Sequence, residues 1–123
     1  MRLLLDTHVF LWWNEGNLAL PEAFRQAISA PANEVVVSAV VVWEIGIKRG
    51  GGKLAFSGSV GDAIIGHNFI PLPITIKHAE KASVLPMHHR DPFDRMLVAQ
   101  ALAEDLILLT VDPLILNYSV PHL

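Results

Sequence analysis

Short apolar runs alternate with segments of helical periodicity along the chain. The runs are nearly continuous in apolar residues, which is typical of strands buried on both faces of a sheet. They predict strands over 2–5, 34–37, 69–72 and 106–110, with a last edge strand at 118–120. Helical patterns predict helices over 9–13, 21–30, 39–48, 60–67, 75–83 and 92–104, and a short helix after Asp112-Pro113. This alternation predicts an α/β fold, a three-layer sandwich with a mainly parallel sheet.

The composition predicts one domain whose surface meets another chain. A chain of 123 residues is long enough to bury a core, so we expect a single domain over 1–123. Hydrophobic residues make up 52% of the chain and the mean hydropathy is +0.43. This apolar content is high for a domain that acts alone, so we expect part of the apolar surface to contact another chain.

The same composition argues against a membrane or secreted protein. The longest apolar stretch, 35–43, is far shorter than a membrane span, and Asp6 interrupts any signal-peptide pattern after three leucines. The absence of cysteine excludes disulfides and thiolate metal sites and fits the cytoplasm.

Four acidic residues each lie beside a point where an apolar run ends. Asp6 follows the first predicted strand and Asp112 follows the strand at 106–110, while Glu44 lies beyond the strand at 34–37. Asp94 stands at the front of the long helical pattern. Because the carboxyl ends of parallel strands share one edge of a sheet, these residues can converge there. Clustered carboxylates repel one another unless a cation such as Mg²⁺ or Mn²⁺ neutralises them, and that arrangement suggests phosphodiester chemistry.

The net charge of −3 neither supports nor excludes a nucleic-acid partner. The chain has 12 acidic residues and 9 Lys and Arg. Without the four candidate ligands, 12 − 4 = 8 acids remain against those 9 bases. The rest of the surface is therefore close to neutral, and the acid excess lies in the predicted site.

Helix capping is an alternative explanation for most of these aspartates. Asp6 can cap the helix that follows it, and Asp112-Pro113 has the pattern of an N-cap followed by proline. Asp91 is a natural N-cap for the helix in which Asp94 occupies the first turn, so two aspartates compete for one site position. Capping does not exclude metal binding, because a helix N-terminus keeps a carboxylate ionised.

Glu44 has no capping explanation. It interrupts a helix that is apolar nearly all round, so its carboxylate is expected to be buried and to need a cation, hydrogen bonds or a proton. An ion pair with Lys48, four residues later, is the structural alternative. We favour the metal-site interpretation.

Several neighbouring residues are weaker candidates. Ser38 and Thr110 end strands at the same edge, where they either orient a carboxylate or cap a helix. Arg95 is either a phosphate clamp or a solvated helix residue. The glycine-rich segment 46–53, with Lys53 as a candidate RNA contact, is interpreted as a flexible basic flap.

Two further segments have open interpretations. The segment 88–90 either contacts phosphates or is a solvated loop. Trp12 and Trp13 are adjacent on one helix and cannot both face one core, so one is expected to be exposed for a partner.

Four segments together resemble the PIN domain, and specifically the VapC-type toxins of bacterial and archaeal toxin–antitoxin pairs. These segments are Leu3–His8, Trp43–Lys48 with Gly52–Leu54, His89–Arg95 and Leu109–Asp112. The resemblance implies a metal-dependent ribonuclease with an acidic quartet, carried here by Asp6, Glu44, Asp94 and Asp112. It favours Asp94 over Asp91, because the family's acid precedes a helix like the one that follows. It also implies a homodimer and a small antitoxin whose carboxy-terminal segment lies in a groove over the site.

The predicted chemistry leaves two alternatives open. One or two metal ions at the quartet would activate water and clamp the phosphate, giving 5′-phosphate and 3′-hydroxyl products. One alternative is a catalytically idle PIN domain that only binds a partner. The other is a receiver-type signalling domain that binds Mg²⁺. We discount the receiver because Thr7 follows Asp6 where a second acid is expected, and because its lysine after the last strand is absent.

Overall fold

The computed structural model describes all 123 residues and has a four-stranded parallel sheet with helices packed against it. The strands are β1 (Arg2–Leu5), β2 (Glu34–Ser38), β3 (Ile70–Leu72) and β4 (Ile107–Leu109). The helices are α1 (Thr7–Glu15), α2 (Glu22–Ser29), α3 (Ala39–Gly50), α4 (Val60–Gly66), α5 (Ile76–Ser83), α6 (Pro92–Glu104) and α7 (Pro113–Leu116). The predicted α/β fold with a parallel sheet is confirmed.

The strand order creates a crevice beside β1. The order is β3-β2-β1-β4, so the chain moves outward from β1 to β3 and then crosses back to place β4 on the other side of β1. Leu5 pairs with Leu109 in register, which brings the carboxyl ends of β1 and β4 level. In open parallel sheets, ligands bind where the strand order reverses in this way.

Strands β1, β2 and β4 are largely buried because they are apolar on both faces, whereas the edge strand β3 is exposed. Leu3, Leu4 and Leu5 of β1 are fully buried, and Leu108 and Leu109 of β4 are equally inaccessible. This rigid layer fixes the backbone from which the polar residues at the strand ends project. No helix combines the length and apolar character needed to cross a membrane.

The predicted edge strand at 118–120 is wrong. The chain instead meets the sheet edge with a single parallel bridge between Leu108 and His122, and the Leu108 amide donates to the Pro121 carbonyl at 2.8 Å. Residues 118–120 turn back on themselves through a 2.9 Å bond from the Val120 amide to the Tyr118 carbonyl. Pro121 has no amide hydrogen to extend a ladder there.

The flexible-flap interpretation of 46–53 is also wrong. Helix α3 continues through Gly46 to Gly50, and only the turn after it departs from helical conformation. The Arg49 guanidinium donates to the carbonyls of Phe56 and Gly58 at 3.2 and 2.8 Å. These bonds hold the following loop against the end of α3. This tertiary contact favours the helix in spite of the weak helical propensity of its glycines.

Neither Trp12 nor Trp13 is fully exposed, which corrects the expectation that one of them would be. Both are half-buried against the core. Adjacent helical positions lie about 100° apart, so the two rings flank the apolar stripe on either side. The exposed tryptophan is Trp43 on α3, with 61% of its surface accessible.

Candidate metal centre

Asp6 and Thr110 lie side by side at the carboxyl ends of the neighbouring strands β1 and β4. Asp6 is 3% exposed, and its Oδ1 accepts a 2.8 Å hydrogen bond from the Val9 amide, so it caps α1. The Thr110 hydroxyl hydrogen-bonds the Asp6 carboxylate and also accepts from the Asp112 amide at 3.1 Å. Thr110 therefore contacts the Asp6 carboxylate and the backbone of Asp112, and its role in orienting the site stays a prediction.

Asp94 and Asp112 meet at the imidazole of His89. The His89 Nε2 lies 2.9 Å from Asp94 Oδ2 and 3.3 Å from Asp112 Oδ2. One ligand atom from each of the three residues falls within 4.8 Å of the others. Asp112 also caps α7, because its Oδ1 accepts from the Leu114 amide at 2.9 Å. Capping and clustering therefore use different oxygens of the same carboxylate.

Asp91 is the cap of α6, and Asp94 is the acid that belongs to the cluster. Asp91 Oδ1 accepts from the amides of Phe93 and Asp94 at 2.8 and 3.4 Å. Asp94 is free of capping contacts and projects toward His89. This division of roles agrees with the choice of Asp94 for the third acidic position, whose metal-binding role remains a prediction.

Glu44 is buried between two partners from its own chain. Its Oε1 accepts a hydrogen bond from the Thr7 hydroxyl at 2.5 Å, and its Oε2 pairs with Lys48 Nζ at 2.6 Å. The side chain of Lys48 is 41% exposed, whereas that of Glu44 is 5% exposed. The ion pair proposed as the structural alternative is therefore present. Glu44 nevertheless lies close enough to the cluster for its charge to act on Asp94.

Burial and mutual repulsion raise the pKa values of carboxyl groups in this cluster, because they disfavour the ionised forms. Burial, and after it the charges of Asp91 and Glu44, together raise the pKa of Asp94 to about 7, against a partial opposing effect of His89. Burial also raises the pKa of Asp6, although hydrogen bonds from Thr110 and the Val9 amide counteract it. Such shifts are typical of sites that await a charged ligand.

The donor set fits a divalent metal ion. Carboxylate oxygens are the preferred ligands of Mg²⁺ and Mn²⁺, and an imidazole nitrogen is a common further ligand for transition ions. The His89 Nε2 is buried and makes no hydrogen bond of acceptable geometry, although it faces two carboxylates. Sequence reasoning left His89 in an open choice between phosphate contact and solvated loop. Its only signal was its position just before the cap of α6.

Ser38 and Lys53 have no visible part in the cluster. Ser38 is fully buried, and its hydroxyl accepts from the Val40 amide at 3.0 Å, which makes it the cap of α3. Lys53 is exposed in the turn that follows α3. Capping thus accounts for Ser38, while an RNA contact by Lys53 stays a prediction.

The prediction of Arg95 as a phosphate clamp is wrong, because its guanidinium is committed to the protein. Arg95 is 9% exposed. It donates to the carbonyl oxygens of Ala82, Leu85 and Pro86 at 2.9, 3.1 and 3.0 Å, and to the Tyr118 hydroxyl at 3.1 Å. Arg95 therefore anchors the loop before α6 with both terminal nitrogens of its guanidinium.

Comparisons with known proteins agree with this architecture. A family model described as the PIN domain matches residues 3–119. Among solved structures, VapBC2 from Rickettsia felis, bound to a DNA fragment from its promoter, aligns with a TM-score of 0.67 and 14% identity over 100% of this chain and 98% of that chain. FitAcB from Neisseria gonorrhoeae aligns with a TM-score of 0.63 and 19% identity over 98% of this chain and 95% of the other. No curated protein sequence gives a match.

The strand order also distinguishes the fold from the receiver-type alternative. A receiver domain has β1 between β2 and β3, whereas β1 here lies between β2 and β4. The structural neighbours share the fold at low identity, and the family model covers almost the whole sequence. The chain belongs to the PIN domain family.

Proposed function

We propose that this protein is a metal-dependent endoribonuclease whose site is formed by Asp6, Glu44, Asp94 and Asp112. The observation that carries the proposal is the convergence of two buried acids, Asp6 and Glu44, with the half-buried Asp94 and Asp112 at the carboxyl edge of β1 and β4, where Asp94 has a pKa of about 7. A purely structural cluster would be expected to neutralise itself with its own bases. Here Lys48 forms an ion pair with Glu44, whereas Asp6 forms no ion pair and is stabilised by hydrogen bonds and by the more distant charge of His8.

The residues have separable roles in this proposal. Asp94 and Asp112 would bind the ion directly through the oxygens that now face His89. Asp6 and Glu44 would add negative charge around the ion, and Thr110 and Thr7 would hold their carboxylates in place through hydrogen bonds. A bound Mg²⁺ or Mn²⁺ supplies Lewis acidity at the phosphate and makes water a nucleophile at neutral pH.

Attack by water on the phosphodiester leaves a 5′-phosphate and a 3′-hydroxyl. The water proton passes to solvent or to a carboxylate, and the leaving 3′ oxygen takes up a proton. This chemistry does not need the RNA 2′-hydroxyl. The RNA preference in our proposal therefore rests on the family and not on the reaction.

A toxin–antitoxin role is supported by the neighbouring structures. One is described as a toxin–antitoxin complex from Klebsiella pneumoniae, with a TM-score of 0.61 and 18% identity. We infer that this chain likewise acts as the toxin of such a pair and is silenced by a small antitoxin. A short reading frame beside its gene, encoding a small DNA-binding protein, is the expected genomic observation.

Association is supported by an apolar groove on the surface between α3, α4 and β3. The groove has a volume of about 640 Å³ and is lined by residues that include Val42, Trp43, Ile65 and Leu72. Ile65 on its rim is 70% exposed. Exposed apolar surface of this kind favours contact with another chain, and we propose that the protein forms a homodimer. Sedimentation at micromolar concentration should show a dimer, and a monomer would contradict this part of the proposal.

The nuclease proposal is tested with purified protein and a structured RNA. Cleavage should require Mn²⁺ or Mg²⁺ and should stop when the ions are chelated. Asp94→Asn and Asp6→Asn should remove cleavage while the protein stays folded. Glu80→Gln, an exposed acid on α5 away from the cluster, is the matched control and should cleave like the wild type.

The outcomes separate the proposal from its alternatives. Cleavage that persists in excess chelator would exclude the metal mechanism. No cleavage under any metal condition, with intact binding of a partner protein, would favour the catalytically idle PIN domain. End-group analysis showing a 2′,3′-cyclic phosphate would exclude attack by water.

A further inference from the structure

His89 is the one member of the cluster that the acidic quartet leaves without a role. It precedes α6, and its side chain is 12% exposed. Its Nε2 faces the same two carboxylate oxygens, on Asp94 and Asp112, that the proposed nuclease would use to bind its metal. We propose that His89 is a nitrogen ligand of this metal centre and that it makes the centre selective for Mn²⁺ and other transition ions over Mg²⁺. This inference rests on the proposed metal site.

The distances are those expected between two ligands of one metal ion. Ligands that occupy adjacent positions of an octahedron at about 2.1 Å from an ion lie roughly 3 Å apart. The two separations of His89 Nε2 from the carboxylate oxygens, 2.9 and 3.3 Å, match that spacing. The same nitrogen is buried and makes no hydrogen bond to either oxygen, so these contacts leave it without a partner.

The main chain of His89 is held in place from two other parts of the molecule. Its amide donates to the Tyr118 hydroxyl at 3.1 Å, and its carbonyl accepts from Arg95 at 3.4 Å. Tyr118 in turn donates to the Pro86 carbonyl at 2.7 Å. A metal ligand on a loop needs this kind of support, because a ligand that must be ordered on binding loses affinity.

The other ring nitrogen leaves Nε2 available for an ion. The Asp91 amide lies 3.4 Å from His89 Nδ1, at the long limit for a hydrogen bond. Nδ1 is the acceptor in this contact, so metal binding at Nε2 requires the ring proton to move to Nδ1 and this long, weak bond to break. The ring can therefore act as a neutral nitrogen donor, which is the form that transition ions require.

A nitrogen ligand changes which ion the site prefers. Mg²⁺ selects oxygen ligands and keeps its waters, whereas imidazole is a good ligand for first-row transition ions. An all-carboxylate site would bind Mg²⁺ and Mn²⁺ with little distinction. The His89 imidazole should raise the affinity for Mn²⁺ and leave that for Mg²⁺ nearly unchanged.

The test is Mn²⁺ binding to the full-length protein without RNA, followed by electron paramagnetic resonance and by calorimetry. The wild type should show nitrogen hyperfine coupling to the bound Mn²⁺, and His89→Gln should lose it. Removal of an outer-shell partner of a ligand already costs 10–100-fold in affinity. His89→Gln should therefore lose at least about tenfold in Mn²⁺ affinity with little change for Mg²⁺.

His8→Gln is the matched control, because His8 is the other histidine whose charge acts on an acid of the cluster. This variant should keep the nitrogen coupling. Bound Mn²⁺ without nitrogen coupling in the wild type would overturn the proposal, and this measurement does not depend on the folding of any variant. Loss of the coupling in His8→Gln and not in His89→Gln would overturn it equally.

The nuclease proposal can fail independently of this one. If the wild type shows nitrogen coupling but cleaves no RNA with Mn²⁺, the ligand assignment stands and the proposed activity does not. If RNA is cleaved with Mn²⁺ and the coupling is absent, the activity stands and His89 is not a ligand.

Discussion

A single buried carboxylate, Glu44, serves both the fold and the candidate site. Its two oxygens are satisfied by Thr7 and Lys48, and its charge still contributes to the raised pKa of Asp94. From the sequence alone, metal binding and an ion pair with Lys48 are alternative interpretations of Glu44. The geometry makes them compatible, because the half-exposed Lys48 can turn to solvent when another cation approaches.

The ion pair predicts different losses of folding stability when Glu44 is replaced and when Lys48 is replaced. Glu44→Gln should change metal-free stability by only about 1 kcal/mol, since Lys48 can regain water and repulsion of Asp94 is relieved. Lys48→Met should cost about 3 kcal/mol, because it leaves the buried Glu44 charge unpaired. Denaturant unfolding in chelator measures both values. Equal losses in the two variants would contradict this account.

Asp91 and Asp94 should differ in what their replacement changes, since Asp91 caps α6 and Asp94 belongs to the proposed metal site. Asp91→Ala removes the cap of α6 and should cost about 1 kcal/mol of stability while cleavage is retained. Asp94→Asn should abolish cleavage without a loss of stability. Melting curves and cleavage rates per folded molecule distinguish them. If the Asp91 variant is the inactive one, the third acidic position has been assigned to the wrong residue.

At the scale of elements, Arg95 fastens the loop before α6 to the rest of the fold. Arg95→Met removes its bonds to the Ala82 carbonyl at the end of α5, to the Leu85 and Pro86 carbonyls of the loop and to Tyr118, and leaves these oxygens without that donor. We expect a loss of about 3 kcal/mol and faster amide hydrogen exchange over residues 84–90. Unchanged exchange, with weakened binding of RNA, would restore the phosphate-clamp interpretation.

The strands and most helices followed from local pattern, because buried parallel strands and capped helices leave strong signals in sequence. Their convergence at one edge followed from the parallel topology. What local pattern did not reveal was the direction of individual side chains. Arg95 looks like a phosphate ligand beside Asp94 until the packing turns it toward loop carbonyls, and His89 points inward because Tyr118 and Arg95 hold its backbone.

At the scale of the whole molecule, the raised pKa values of Asp6 and Asp94 link folding to pH. A carboxyl whose pKa is raised by folding contributes stability that is complete below its ordinary pKa of 3.8 and is lost as the pH rises through the folded value. The Asp94 contribution should therefore disappear between pH 4 and the value of about 7. Because this carboxyl retains some contact with solvent, we expect a loss of about 2 kcal/mol and not the full value of the shift.

A bound divalent ion should restore the stability that is lost as the pH rises. In chelator, Asp94→Asn should match the wild type near pH 4 and exceed it by about 2 kcal/mol at pH 8. A 100-fold excess of Mn²⁺ over its dissociation constant stabilises the wild type by about 2.7 kcal/mol. The ion must displace the Asp94 proton below pH 7, so Mn²⁺ affinity should fall about fivefold from pH 7 to pH 6. Thermal melts of both proteins across this range measure these effects. Equal Mn²⁺ stabilisation of wild type and Asp94→Asn at pH 8 would mean that the ion binds elsewhere.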